Sequence, residues 1–388
     1  MNLSGELAGW RLLAGKMFSA LFRTTISKRS AMRLAILAAL AFLVFAQIAN
    51  LILPDYYSYD FNNMIDIAEG VVSGVDTSLA VISGLINFLS LPVLTAIVQL
   101  TGACMFFFML RGRRLVITAG AALYGLMLLA PLALVRPQKE ILVLLLTAIC
   151  TWGISRSKTP RLALVVTLSI YLIYTIASRR PYYVLITGLI PVLFVFGRLS
   201  RRARWAVVAG VLVAGFFVPS SAFQTLGLAR DGVNVLRISF PDIAGNRTAF
   251  SNPVESASWI GFLTNYLSAM IRLNLPLLYW QTPNEVAMTL FAGIGFYFIY
   301  CGLKSDDWRA KLSAQLLMAH LLVLWIFEPD LGSYLRHFAS CILYFVPIFR
   351  SVEERTLAIL NGSWSGDGHR AGLTSGSIVG GDEPPAET

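Results

Sequence analysis

The residues in this chain that could do chemistry fall in a few short stretches. The first is Asp55-Tyr56-Tyr57-Ser58-Tyr59-Asp60, in a loop that continues to Asp66 and Glu69 and has no Lys or Arg between Pro54 and Thr77. The second is Arg136-Pro137-Gln138-Lys139-Glu140, and the third is Arg179-Arg180-Pro181. The last runs from Glu328-Pro329-Asp330 to Arg336-His337. Carboxylates of this kind can take a proton as general bases. The planar Arg fork bonds two oxygens of a phosphate at once. Tyrosines beside acids and amides suit a carbohydrate, whose faces stack on rings and whose hydroxyls bond carboxylates. On a helix, Tyr56, Tyr59, Asn63 and Asp66 share one face, and Phe61, Ile65 and Ala68 share another.

The elements that must position these residues are membrane helices. The chain has 388 residues, 56% apolar and 13% charged, where a soluble domain carries about 25% charge. Its apolar runs of roughly 20 residues suit helices that cross a core of about 30 Å. The short alternating strands of a barrel are missing. The net charge of +10 sits in clusters between apolar runs, which is the pattern that orients membrane helices and not one that tracks nucleic acid. Cys104, Cys150, Cys301 and Cys341 all lie inside apolar runs, without the spacing of a metal site or a disulfide framework.

The expected fold is therefore all-α, a polytopic membrane protein of about ten crossings. Residues 1–30 form an amphipathic surface segment on the cytoplasmic side. Residues 31–350 form the membrane domain, and 351–388 a disordered cytoplasmic tail. Crossings are expected near 31–53, 92–110, 115–135, 141–155, 162–177, 181–197, 205–223, 286–303, 312–327 and 331–349, with a short interfacial helix before Pro92. The first run reads as a retained anchor. The basic segments 111–114, 156–161, 198–204 and 304–311 alternate with the remaining loops if both termini are cytoplasmic. The long segment 224–284 then lies on the outer face as a lid or acceptor loop, with 259–280 interfacial or re-entrant.

Arg136, Lys139, Arg179, Arg180, Arg336 and His337 fall on that outer face, against the charge rule. They are also deep, because the runs around 141–197 have only roughly 15–17 apolar residues against the ~20 a crossing needs. His337 is followed by a short apolar run, so its helix must begin near Leu331 and draw Arg336 inward. Ser333, His337, Ser340 and Tyr344 would then share a face. Ionisable groups at such depth mark substrate paths. Snorkelling to headgroups or local pairing, such as Arg336 with Asp330 or Lys139 with Glu140, is the plainer alternative.

Together these parts suit a glycosyl transfer. A carboxylate takes the proton of a sugar hydroxyl, the hydroxyl attacks an anomeric carbon, and cations meet the charge on a departing lipid diphosphate. Asp55 and Asp60 are the candidate bases, with Glu140 and Glu328 behind them. Tyr56, Tyr59, Arg136, Lys139, Arg179, Arg180, Glu328, Asp330, Arg336 and His337 are the candidate binding residues. No metal or other cofactor is expected: the sequence has no nucleotide-phosphate loop, zinc spacing or Ser/His/Asp elbow.

These same stretches resemble the bacterial polysaccharide repeat-unit polymerases, of the EpsG-like exopolysaccharide and Wzy-type O-antigen kinds. The likeness rests on Asp55-Tyr56-Tyr57-Ser58-Tyr59 after the first span, the basic turns at 136–140 and 179–181, and the Glu328-to-His337 motif. It covers roughly residues 31–350. The resemblance implies undecaprenyl-diphosphate-linked oligosaccharides as substrates, joined at the periplasmic face of the inner membrane. It implies a flippase and a chain-length regulator of the same pathway as partners, with no nucleic acid. Another lipid-linked-sugar glycosyltransferase or an O-antigen ligase is the near alternative. A transporter or lipid flippase is the more distant one, and would show two-fold internal repeats.

Overall fold

The computed structural model describes residues 26–52, 59–71, 77–110, 135–178, 180–239, 248–279 and 283–360. Their regular structure is helical: α1 (Lys28–Ile52), α2 (Tyr59–Ala68), α3 (Thr77–Leu89), α4 (Leu91–Leu110), α5 (Glu140–Arg156), α6 (Pro160–Ser178), α7 (Pro181–Phe196), α8 (Arg201–Ala214), α9 (Ser220–Ser239), α10 (Trp259–Asn274), α11 (Pro283–Leu303), α12 (Trp308–Phe327), α13 (Leu331–Ser340) and α14 (Phe345–Leu360), with short 3₁₀ turns between some of them. Among the described residues the extended backbone pairs at one place, a bridge between Ala249 and Asp330.

Four helices, α1, α6, α11 and α12, are long and apolar enough to cross a membrane, and two sharply bent pairs raise the number to six. The distribution of side chains fits that solvent. On α6 the inward face is Ala163, Thr167, Tyr171 and Ser178, while Leu172, Ile173 and Ile176 are more than half exposed. On α1 the buried stripe is Ala31, Ala35, Ala38, Phe42 and Ala46, with Leu37, Leu40 and Val44 outside. Small and polar residues inside with branched apolar residues outside is the arrangement of helices packed in lipid. In water, apolar surface on this scale would drive aggregation.

The core is organised around α12. Thirteen of its residues, from Ala310 to Trp325, are buried, and it packs against α5, α6, α7, α9, α10, α11, α13 and α14. A helix that is apolar all round is stable only when surrounded in this way. Contacts between ends fix the directions of its neighbours. The start of α7 meets the end of α12 through the Tyr182–Phe327 contact, and the start of α5 meets α13, just beyond that end, through Glu140–His337. The opposite ends meet the start of α12, where Arg309 donates to the Ser157 carbonyl and Gln315 donates to the Leu193 carbonyl. Helices α1 to α4 pack chiefly on one another. A polar chain ties them to the rest: Gln47 donates to Gln99, whose own amide donates to the carbonyl of Val135, next to Arg136.

Several expected boundaries shift. The break expected near Pro92 lies at Ser90, which has φ +67°, and the chain turns there by 110°. The crossing expected over 205–223 is not one straight helix. It bends by 98° at Val218-Pro219, where the ring removes a donor and disfavours helical backbone before it. The crossing expected over 331–349 starts at Leu331 as its length requires, then breaks into a 3₁₀ turn at Ile342–Tyr344. The helix after that turn continues to Leu360, past the point where a disordered tail is expected. Its polar stretch carries an Arg350–Glu354 pair at 2.9 Å. Residues 1–25 of the amphipathic segment, 115–134 of the crossing expected at 115–135 and the tail beyond 360 lie outside the described residues, and α1 begins at Lys28, inside the segment expected on the surface.

Candidate functional site

The end of α12 gathers stretches that are far apart in the chain. Glu328 closes α12 in extended conformation, its N–H still bonded to the Leu324 carbonyl. Pro329 ends the helix, and Asp330 opens α13 by accepting from the Ser333 N–H at 2.8 Å, a strong N-cap. Two turns on, His337 comes back beside Glu328. Its Nδ1 lies 2.5 Å from Glu328 Oε1. Its Nε2 faces Glu140 Oε1 at 3.6 Å, from the first turn of α5. Helix N-termini favour a negative group in that turn.

This cluster is sheltered. Glu140 is 1% exposed and Glu328 4%, and the His337 side chain is 14% exposed. Among the described residues, neither oxygen of Glu140 accepts a hydrogen bond and His337 Nε2 makes none. Buried polar atoms in this state are uncommon and call for an explanation.

The third stretch enters from α7. Pro181 opens that helix, which suits its fixed φ, and Arg180 before it is extended and 6% exposed. Arg180 Nη1 donates to the Tyr182 hydroxyl at 2.7 Å. The Tyr182 ring lies 6.3 Å from the His337 ring and 6.1 Å from Phe327. Arg136 and Lys139 share the turn that presents Glu140, and both are half-buried. Arg336, also half-buried, adjoins His337. All four cations are engaged in interactions.

A strap from the long segment 224–284 holds the Glu328–Asp330 turn in place. Phe250 N–H donates to the Pro329 carbonyl at 3.1 Å, next to the Ala249–Asp330 bridge. Arg230, from α9, is 2% exposed. It donates to the carbonyls of Trp325 and Ile326 at the end of α12, and to Asn252 Oδ1 at 2.9 Å. Asn252 in turn donates to Asp231 at 2.9 Å. A cation on the last carbonyls of a helix also complements its dipole. Arg230 is thus a clamp on the turn, where the sequence suggests a lid or acceptor loop. On the far side of the turn lies a cavity of about 200 Å³ lined by Phe250, Arg272, Tyr279, Glu285 and Leu331, among others. The Arg272 guanidinium sits 4.7 Å from the Tyr279 ring and 5.6 Å from the Phe250 ring.

Of the predicted site residues, the fold draws together Glu140, Arg180, Glu328 and His337, with Arg136, Lys139 and Arg336 adjoining them. Asp330 is the N-cap of α13. Asp55, Tyr56 and Arg179 lie outside the described residues. Tyr59 and Asp60 begin α2, and their side chains lie outside the description. Tyr182 is a neighbour that sequence reasoning missed, although it follows the Arg180-Pro181 turn. His320 was missed as well. It is one of only three histidines, in the middle of an apolar run, which is signal enough for a functional or structural role. In α12 it contacts Tyr171 at 2.6 Å and Cys341 at 3.3 Å, and Tyr171 contacts Tyr344 at 2.7 Å.

The arrangement can hold and move a proton. A neutral His337 with Nδ1–H donated to Glu328 offers its Nε2 lone pair as a base, and its protonated form is flanked by two carboxylates. Among the described residues no group of three or more His, Cys, Asp or Glu side chains is arranged to hold a metal ion. The fold and site are those of a helical chain with four to six helices long and apolar enough to cross a membrane, and a sheltered carboxylate–imidazole–carboxylate cluster with basic residues in the adjoining turns. No family model, no curated protein and no solved structure matches the chain.

Proposed function

We propose that the chain is a membrane glycosyltransferase that polymerises undecaprenyl-diphosphate-linked oligosaccharide repeat units. In this reading it crosses the bacterial inner membrane about ten times, with both termini cytoplasmic and the His337 end of the bundle periplasmic. The observation that carries the reading is the meeting of Glu140, Glu328 and His337 with Arg180 at one end of apolar helices. In this reading a proton acceptor and a cation for the phosphate stand side by side at a lipid boundary.

The acceptor hydroxyl gives its proton to His337 Nε2, while Glu328 holds the Nδ1–H and stabilises the imidazolium that forms. The hydroxyl oxygen forms a bond to the anomeric carbon. The bond from that carbon to the diphosphate oxygen breaks, and the electron pair leaves with the lipid diphosphate. Arg180, with Arg136, Lys139 and Arg336 in the adjoining turns, meets that charge. The cavity beside Arg272, Tyr279 and Glu285 offers an aromatic wall and a carboxylate for the sugar that arrives. A flippase delivering substrate and a regulator of chain length are the partners this implies.

A second reading is a proton-coupled transporter. It is favoured by the polar chain His320–Tyr171–Tyr344 inside the bundle, since ionisable groups within apolar helices often relay protons.

Deleting the gene and measuring surface glycan length decides between them. Loss of long chains with accumulation of single lipid-linked units is expected, restored by the wild-type chain and not by Glu328→Gln. Polymer of unchanged length in the deletion sinks the polymerase reading.

A further inference from the structure

The end of the bundle opposite His337 carries a different feature. A cavity of about 330 Å³ opens between the end of α7 and the start of α12. Phe194, Gly197 and Arg198 line it from one side, and Trp308, Lys311 and Gln315 from the other. Helix α7 has 16 residues, a length of about 24 Å at 1.5 Å per residue. That separates the cavity from Arg180 and the carboxylate–imidazole cluster by nearly the thickness of a bilayer core.

The lining is amphipathic and cationic. The Arg198 guanidinium lies 3.9 Å from the Phe194 ring centroid. Stacking of this kind holds the plane of the group against a wall and leaves its in-plane N–H donors for another acceptor. Lys311 brings a second cation from the first turn of α12. Among the described residues no carboxylate lines the cavity, and neither Arg198 nor Lys311 has a carboxylate partner. The nearby acid Asp307 is taken up in capping α12, accepting from the Arg309 N–H at 3.0 Å. The opposite wall is braced. Arg309 stacks 4.5 Å from the Trp308 ring and donates to the Ser157 carbonyl. Gln315, 4% exposed, spends its amide N–H on the Leu193 carbonyl at 3.1 Å.

We propose that this cavity binds a phosphate group, the anionic headgroup of a membrane phospholipid, with Arg198 and Lys311 on the phosphate oxygens and the Phe194 and Trp308 rings against the apolar part. Two cations with no carboxylate partner among the described residues, at a helix-end cavity, complement a phosphate anion. The aromatic walls favour one attached to an apolar chain, and basic groups at a membrane border attract anionic lipid.

The test uses the full chain, purified in detergent, with thermal unfolding and native mass spectrometry as readouts. The probes are phosphatidylglycerol, phosphatidylcholine and inorganic phosphate. Phosphatidylglycerol is expected to raise Tm by several degrees and to stay bound in the gas phase. Phosphatidylcholine should do neither. The double variant Arg198→Gln/Lys311→Gln should lose the rise, and Arg198→Lys/Lys311→Arg should keep it. Gly197→Ala is a second probe that leaves both charges in place. Its new Cβ would stand 2.4 Å from Gln315 Nε2, so this lining side chain must shift, which should weaken binding. A rise with inorganic phosphate that the Gln variant abolishes also supports the phosphate site, with a soluble compound as its source. No rise with either phosphate probe, or an equal rise in the Gln double variant, overturns the proposal.

Discussion

His337 Nδ1 lies 2.5 Å from Glu328 Oε1 across the turn that joins α12 to α13. That turn keeps the two side chains on the same side although nine positions separate them. A helix running straight through 328–337 would not bring them into hydrogen-bond contact. The Pro329 break and the Asp330 cap therefore make the pair, and Glu140 completes it from α5.

The pair should act as a unit. His337→Gln and Glu328→Gln are each expected to lower polymerisation of lipid-linked units in isolated membranes by about 10²–10⁴-fold. The double variant should be little worse than either, because groups that serve one step are not additive. Losses that multiply would show that the two residues act separately.

Arg180 and Tyr182 separate charge from geometry. Arg180→Lys keeps the cation but loses the planar fork and the 2.7 Å bond to the Tyr182 hydroxyl. A fall in activity of at least about tenfold is expected from the lost transition-state contact. Tyr182→Phe keeps the ring beside His337 and should cost less. If Tyr182→Phe is the worse of the two in the same membrane assay, the cation is not what the step requires.

Arg230 is predicted to matter for stability. Arg230→Met removes the donors on the last carbonyls of α12 and leaves Asn252 Oδ1 without that partner. A loss of at least about 2 kcal/mol is expected, read as a lower unfolding midpoint in detergent. Asn252→Ala in the Arg230→Met background should add little, because the two side chains share one network. Unchanged midpoints would remove the clamp.

Tyr171 tests the transporter reading. Tyr171→Phe takes a hydrogen-bond partner from both His320 and Tyr344, which should lower stability by about 1–3 kcal/mol per buried group left unsatisfied. Glycan length per folded protein should stay at wild type. Proton uptake by vesicles containing the wild-type chain, lost in Tyr171→Phe, would favour transport.

Much of the site is legible in the chain because burying a charge is costly. The short apolar runs around 141–197 and after His337 mark Lys139, Glu140, Arg180, Arg336 and His337 as deep residues before any fold is known. The length argument also sets the start of α13 at Leu331, where the helix begins. Chain length and charge give no role to His320, and they read Arg230 only as part of a lid. Both sit where only packing decides their role. His320 depends on Tyr171, from α6, and Tyr344, from beyond α13, and Arg230 depends on carbonyls nearly a hundred positions later.

The sequence by itself determined that the chain is helical and apolar enough for a membrane, and which charged residues would be held near its border. These follow from local composition and length, since a backbone in lipid must satisfy its own hydrogen bonds. Which acid meets which base was decided only by the tertiary structure. Glu140, Glu328 and His337 come together because α5 and α13 pack side by side at the end of α12. Such a meeting depends on long-range packing between faces, and periodicity within one segment carries no information about it.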